Sequence, residues 1–511
     1  MLGFGARLRY QLVERWFSLG DGNSSPRSAD VDMANQIISN IVGKGLVPKS
    51  PIYVLILLQG LEAGHQGELE NSALGHYYQY LILHSLLPVV RQEAVHEVLN
   101  YCQQLAWFLN QTKPRIDEKA YRLFHAQYEE KFDLAVPLEA RKRLLVGAKI
   151  LTEAEGELAF RYPYSYYYFL GTYLADNLRD EEVGKRVVTY AENLHVREYG
   201  NTILFLAHHS NDDFVMELME RALGQSFAEY PEYSFEKDTK ILEALAKEVK
   251  QEAVMLPPGD TKEKKFTIIE EDLNFSEGLA QISDGKLREE RSQEEIAVLE
   301  LVSEINGLFK GIEILGMILK ARFGSLTSQK KQRLLTALVN GGLRGMRGLF
   351  ETFASSPQQL LIEIEEVLTN QTPSRDRIEA LAKQRVFSFM SYLAYNFVRR
   401  MGSSVSSKNL IPAITRLQTE TDSGANRLVR LAALLELRGK MPMSEVINLA
   451  KEFDDLPFAF SVLARLAMRR VQLHETSDIE KQQLFAELKV GVATQRGLDF
   501  KTKNSKQTGK M

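Results

Sequence analysis

A single cysteine, Cys102, serves a chain of 511 residues. No internal disulfide can form from it. That excludes a disulfide framework and leads us to expect a reducing, cytoplasmic setting. Cys102 lies in YCQQLAWFL, an apolar helical stretch, so a buried, inert thiol is expected rather than a nucleophile. Long hydrophobic runs are missing as well. The most apolar, Ile52 to Leu58, is far shorter than the roughly 20 residues a membrane-spanning helix needs, and it reads as a buried core helix. The N-terminal MLGFGARLRYQLVERWF carries charges throughout and lacks the apolar segment of a secretory signal. No membrane association is expected. With a net charge of −4, the chain has no broad basic field, and no specific nucleic-acid binding is expected.

Motifs that carry chemistry are equally scarce. Gly43-Lys44-Gly45 and Gly439-Lys440 approach a phosphate loop, but both lack the first glycine of GxxxxGK[ST] and the hydroxyl residue after the lysine. His96-Glu97 begins like a zinc-binding helix, yet the position of the second imidazole holds Asn100. His208 and His209 are adjacent, so on a helix they diverge. With Asp212 and Asp213 nearby, they read as a polar helix end rather than a metal site. Gly22-Asn23-Ser24-Ser25-Pro26 lacks the second glycine of a nucleophile elbow. Asp454-Asp455 follows no apolar strand. The expectation is a non-catalytic chain with no metal site and no cofactor of its own.

Of the chain, 44% is hydrophobic and 25% charged, ordinary for a globular protein, and its length suits about three domains. Apolar residues recur at helical spacing almost throughout, so the predicted fold is all-α, with one small β-hairpin near residues 149–162. There Lys149-Ile150-Leu151 reads as a strand, Thr152 to Gly156 as a turn and Leu158 to Tyr162 as the returning strand. Pro163 opens the aromatic helix that follows. Helix, helix, hairpin and helix in this order predict a winged-helix domain over 87–178, after a helical arm over 1–86. The first arm helix begins almost at Met1 with no capping sequence, a hint that the natural domain starts further upstream. Arg141, Lys142 and Arg143 lie on the candidate recognition helix, where either a nucleic-acid contact or a solvated helix end would account for them. Further helices give a domain over 179–250, a charged linker or mobile insertion over 251–295, a helical domain over 296–496 and a basic tail over 497–511. Within 296–496 the expected helices include Ser328 to Val339, Leu343 to Phe353, Gln358 to Leu368 and, last, Pro457 to Leu473.

Phe160-Arg161-Tyr162-Pro163-Tyr164 with the helix YYYFLGTYLAD resembles the end of the winged-helix domain in STAND proteins, the signal-transduction ATPases with numerous domains. The stretches LRYQLVERWFSLG, NIVGKGLVPKSPIYVLILLQGLEAG, SALGHYYQYLI, NTILFLAHHSNDDFVMELMERAL and FKGIEILGMILKARFGSLTSQKK resemble its prokaryotic branch. The resemblance implies the C-terminal part of a NACHT-like P-loop signalling ATPase: arm, winged helix and helical sensor. Its ATPase core would precede residue 1, so ATP or ADP would bind only with that core. Tyr162 takes the place of the family histidine that approaches the nucleotide phosphates. A phenol donates one hydrogen bond there but brings no cation. The implied function is the regulatory and sensor portion of such a protein in antiphage defence. Its implied partners are proteins: a trigger, the ATPase core or a second copy. The alternative is a stand-alone helical scaffold or adaptor.

Overall fold

Residues 4–20, 28–42, 46–63, 75–238, 265–270, 293–354, 375–421, 423–437, 439–474 and 476–489 are described in this computed structural model. The charged stretch from Lys247 to Glu295 and the helix expected over Gln358 to Leu368 lie largely or wholly outside them. The chain divides into two units, Met1–Met219 with Asp272–Glu290, and Glu220–Glu271 with Arg291–Met511. Both are helical.

The first unit begins with α1 (Ala6–Gly20), α2 (Ser28–Val42), α3 (Pro51–Ala63) and α4 (Gly75–Leu86). The apolar run behaves as a core helix: Val54, Leu57 and Leu58 are fully buried. Among the described residues no helix is long and apolar enough to cross a membrane. Arg9 of α1 is buried, with Nη2 donating to Ser39 Oγ at 2.8 Å and Nε to Asn35 Oδ1 at 3.3 Å, both on α2.

Next come α5 (Val95–Gln111), β1 (Ile116–Asp117), α6 (Glu118–Phe132), α7 (Leu138–Gly147), β2 (Leu151–Ala154), β3 (Glu157–Phe160) and α8 (Pro163–Asp176). Asp117 caps α6, its carboxylate accepting from Ala120 N at 2.8 Å. Tyr162 takes an extended conformation ahead of α8 and Pro163 occupies the first turn, where a missing N–H costs nothing.

The hairpin differs from the sequence expectation. Lys149 is left-handed (φ 59°), and Ile150 N still bonds Leu145 O at 3.0 Å. Both residues therefore terminate α7 instead of opening a strand. Thr152 to Ala154 are strand, paired Leu151 to Phe160 and Ala154 to Glu157, and the turn is only Glu155-Gly156, both with positive φ. A two-residue turn of that hand matches the twist of antiparallel strands. A third strand also exists: β1 pairs antiparallel with β3, giving the order β1-β3-β2.

The unit continues with α9 (Glu181–Glu192) and α10 (Arg197–His209), and the boundary between the units falls within α11 (Asp213–Gln225). Asp180 caps α9 by accepting from Glu182 N at 2.9 Å and Val183 N at 3.1 Å. The aromatic helix α8 packs on α4, α5 and α10. It meets α10 at Gly171, where a β-carbon would lie 2.7 Å from Phe205 Cβ and 2.8 Å from Leu206 N.

The second unit holds α12 (Gln293–Ala321), α13 (Ser328–Ala354), α14 (Arg375–Ser404), α15 (Ile411–Glu420), α16 (Gly424–Glu436), α17 (Met443–Glu452), α18 (Pro457–Leu473) and α19 (Asp478–Glu487). α14 runs through its centre, against α12, α13, α16 and α18. α13 is one helix, not two, because Gly341-Gly342 does not interrupt it: Gly342 faces Met401, and Gly345 faces Leu308 and Phe397. Small residues there admit neighbouring helices, and that packing outweighs the low helix propensity of glycine. Gly316 lies against the Ser404 backbone and Gly402 against Ala432 and Ala433. Phe458 is fully buried among Phe235, Phe350 and Phe387. The final helix, α19, had no counterpart in the sequence reading. It opens on a capping box, with Glu480 N donating to Ser477 Oγ at 3.3 Å and Ser477 N donating to Glu480 Oε2 at 3.1 Å.

Gly171→Ala and Gly316→Ala should each destabilise the protein by about 1–3 kcal/mol, the usual cost of overpacking against backbone that cannot yield. Gly147→Ala, which meets nothing within 4 Å, should leave stability unchanged. Urea denaturation midpoints measured on the three variants check this.

Candidate functional site

Tyr162, the residue singled out by sequence, begins α8 on a half-buried edge between the arm and the hairpin. An aromatic column runs through it. Tyr53 of α3 meets Tyr162 edge-on at 5.6 Å, Tyr162 stacks on Tyr164 at 5.9 Å, and Tyr164 stacks on Tyr78 of α4 at 6.1 Å. Tyr78 then lies 4.8 Å from Phe205 of α10. Tyr53 and Tyr162 each perturb the other's phenol. Arg161 Nε donates to the Tyr162 hydroxyl oxygen at 3.0 Å. Burial alone would raise the Tyr162 phenol. The neighbouring Tyr53 phenol, the bond and charge of Arg161, and the charge of Lys149 outweigh burial and hold it below the ordinary value of 10.0. Tyr53 moves the other way, raised first by burial and then by the neighbouring Tyr162 phenol. The site is therefore a phenol oxygen bonded by the exposed guanidinium of Arg161, with the Tyr53 ring edge-on beside it.

A second centre lies at Asn110, in the last turn of α5. Its Oδ1 accepts from the Tyr190 hydroxyl at 2.9 Å and from Arg186 Nη1 at 3.0 Å, both on α9. Its Nδ2 donates to the Tyr166 hydroxyl of α8 at 3.3 Å, and that hydroxyl donates to Glu198 of α10 at 3.1 Å. One amide thus ties together the end of α5, α8, α9 and, through Tyr166, α10. Trp107 of α5 stacks on Tyr173 of α8 at 5.0 Å, with Arg186 over its other side at 5.1 Å.

The basic cluster on α7 is not a solvated helix end. Arg141 is buried, paired with Glu97 of α5, and lies over the Tyr101 ring at 5.3 Å. Lys142 bonds Glu118 at 3.0 Å and Glu153 at 2.7 Å. Arg143 alone is exposed, and its Nε donates to Glu139 O at 3.2 Å. Two of the three cations therefore join α7 to its neighbours.

The remaining sequence candidates do not converge. Cys102 is buried, and burial raises its thiol well above the ordinary range. His209 packs edge-on against Tyr168 at 4.7 Å, and burial, with the charge of His76 acting the same way, lowers it to about 4. Among the described residues no group of three or more His, Cys, Asp or Glu could hold a metal ion. Asp454 pairs with Lys489, and the Gly439 carbonyl accepts from Arg470 Nη2 at 2.9 Å. Gly43-Lys44-Gly45 and Gly22 to Pro26 lie outside the described residues.

Arg141→Ala should cost about 1–3 kcal/mol by thermal unfolding, since Glu97 loses its partner yet keeps some water; Arg143→Ala should be neutral. The lowered Tyr162 phenol should ionise ahead of the other tyrosines. A folded-state value below the unfolded one stabilises only in alkali, and that contribution disappears as pH falls through the folded value. An ultraviolet difference titration of tyrosinate should lose its earliest step in Tyr162→Phe.

No curated protein and no solved structure matches the chain. Residues 114–170 do match a family model, described as Novel STAND NTPase 4. The matched stretch runs from just before β1 into α8, and it contains the hairpin, Arg161 and Tyr162. Over these residues the chain is related to the STAND NTPases.

Proposed function

We propose that this chain is the regulatory and sensor portion of a STAND-type signal-transduction ATPase. The observation that carries this reading is the coincidence of the family match, residues 114–170, with a folded run ordered strand, helix, helix, hairpin, helix, preceded directly by α5. That order, with sheet order β1-β3-β2, supports a winged-helix identity for residues 87–178. Tyr162 then lies at the edge that turns toward nucleotide in the family. The cation that a histidine would bring is supplied instead by Arg161, which already bonds the Tyr162 oxygen. A phosphate arriving there would compete with Tyr53 for Tyr162, so nucleotide contact and the grip of α3 on α8 would be alternatives. Such exclusivity is what a regulatory module requires.

In this reading the chain performs no hydrolysis itself, and ATP or ADP engages it only alongside a P-loop core. The helical second unit acts as sensor. Its partners are proteins: a trigger, the ATPase core or another copy. The antiphage setting rests on the prokaryotic branch that the five stretches resemble. The second reading, a helical scaffold or adaptor, is favoured by one observation: the Tyr162 oxygen is already engaged by Arg161.

Purified chain should release no phosphate from ATP above the blank. Combined with a P-loop protein encoded in the reading frame immediately upstream, it should slow ADP loss. Arg161→Glu should speed that loss by on the order of 10-fold, as expected for one charge-assisted hydrogen bond. An upstream frame without a GxxxxGK[ST] sequence, or ADP retention indifferent to Arg161, would leave the scaffold reading in its place.

A further inference from the structure

α14 and α18 enclose an open cavity of about 550 Å³ lined by Arg385, Ser388, Phe389, Tyr392 and Arg465. Positions 385, 388, 389 and 392 share one face of α14, being three, four and seven apart. Arg465 reaches across from α18, its Nη2 donating to Ser388 O at 3.1 Å and Ser388 Oγ at 2.9 Å. Its Nε is buried without a hydrogen-bond partner. Neither arginine has a carboxylate partner among the described residues. Burial lowers Arg465, and the groups opposing that shift are phenols, Tyr395 and Tyr392. A largely buried cation without a counter-ion is costly, and an arriving anion relieves that cost.

Arg385 stands exposed at the mouth of the same cavity. Both arginines line the cavity, and a guanidinium group is suited to bind a phosphate. The remaining wall is aromatic. Phe389 is 42% exposed, held edge-on by Phe353 at 5.7 Å, and Tyr392 lies beside it on the helix face. Such rings offer a stacking surface for a planar group. The volume lies inside the roughly 300–1,000 Å³ of small-ligand sites.

We propose that this cavity binds a phosphate monoester carrying a planar ring, of mononucleotide size. The phosphate lies between Arg385 and Arg465, and the ring lies against Phe389 and Tyr392. The site belongs to the second unit alone and does not depend on the STAND reading or on Tyr162.

Calorimetric titration of the full chain with AMP and UMP tests it, with inorganic phosphate and adenosine as the two halves of the ligand. A nucleotide should bind at least about 10-fold more tightly than either half, since both walls contribute. Arg385→Gln should weaken nucleotide binding by on the order of 10-fold without moving the unfolding midpoint, because Arg385 makes no bond that folding needs. Phe389→Ala should weaken nucleotide and leave phosphate unchanged. The proposal is overturned if phosphate binds as tightly as nucleotide. It is equally overturned if an acidic peptide binds and nucleotide does not, if Arg385→Gln changes nothing, or if no probe saturates at millimolar concentration.

Discussion

The first unit depends on how close α8 can come to α10. At Gly171 the two backbones approach to a distance that leaves no room for a β-carbon. With that approach fixed, the aromatic side chains of α8 have only defined places to go: Tyr164 toward Tyr78, Tyr166 toward Asn110 and Glu198, Tyr173 onto Trp107. Large rings carry much burial but have strict directional needs. A helix so rich in them forms one arrangement only when its depth against its neighbour is set.

Buried polarity supplies the second kind of order. Arg141 with Glu97, Arg9 with Ser39 and Asn35, and Arg470 with the carbonyls of Leu435 and Gly439 each join elements distant in sequence. Every such group would be costly in the wrong partner's company. The charges that seem to advertise nucleic-acid binding along α7 are mostly of this kind. Arg465 lines an open cavity and carries a buried Nε without a hydrogen-bond partner.

Much of the helical fold was legible because apolar spacing, prolines and Asp or Ser caps act locally. Pro163 marked α8, and Asp180 and Pro457 stand where α9 and α18 begin. The misreadings share a physical cause. Lys149 is left-handed because α7 needs a terminus, and its apolar neighbours imitate a strand. β1 is two residues long, too short to alternate, and exists only because β3 lies beside it. Gly341-Gly342 looked like a break until the helices facing it were known. The Ser477–Glu480 box was readable and was passed over. Tyr162 could be found by resemblance, but its edge-on contact with Tyr53 joins α3 to the start of α8, and no local pattern announces it. The pairing of Arg385 with Arg465 is hidden for the same reason, one residue lying on α14 and the other on α18.

The glycines at the helix crossings also bear on how this protein can change over generations. Any single-base change that replaces a glycine inserts at least a methyl group, so Gly171, Gly316 and Gly402, each set against backbone rather than a yielding side chain, have no neutral first step. Exposed surfaces such as the Arg143 edge of α7 face no such barrier. Lineages descended from a common ancestor should therefore drift widely in sequence while these small residues persist, and distant kin would be recognised by glycine spacing better than by overall identity.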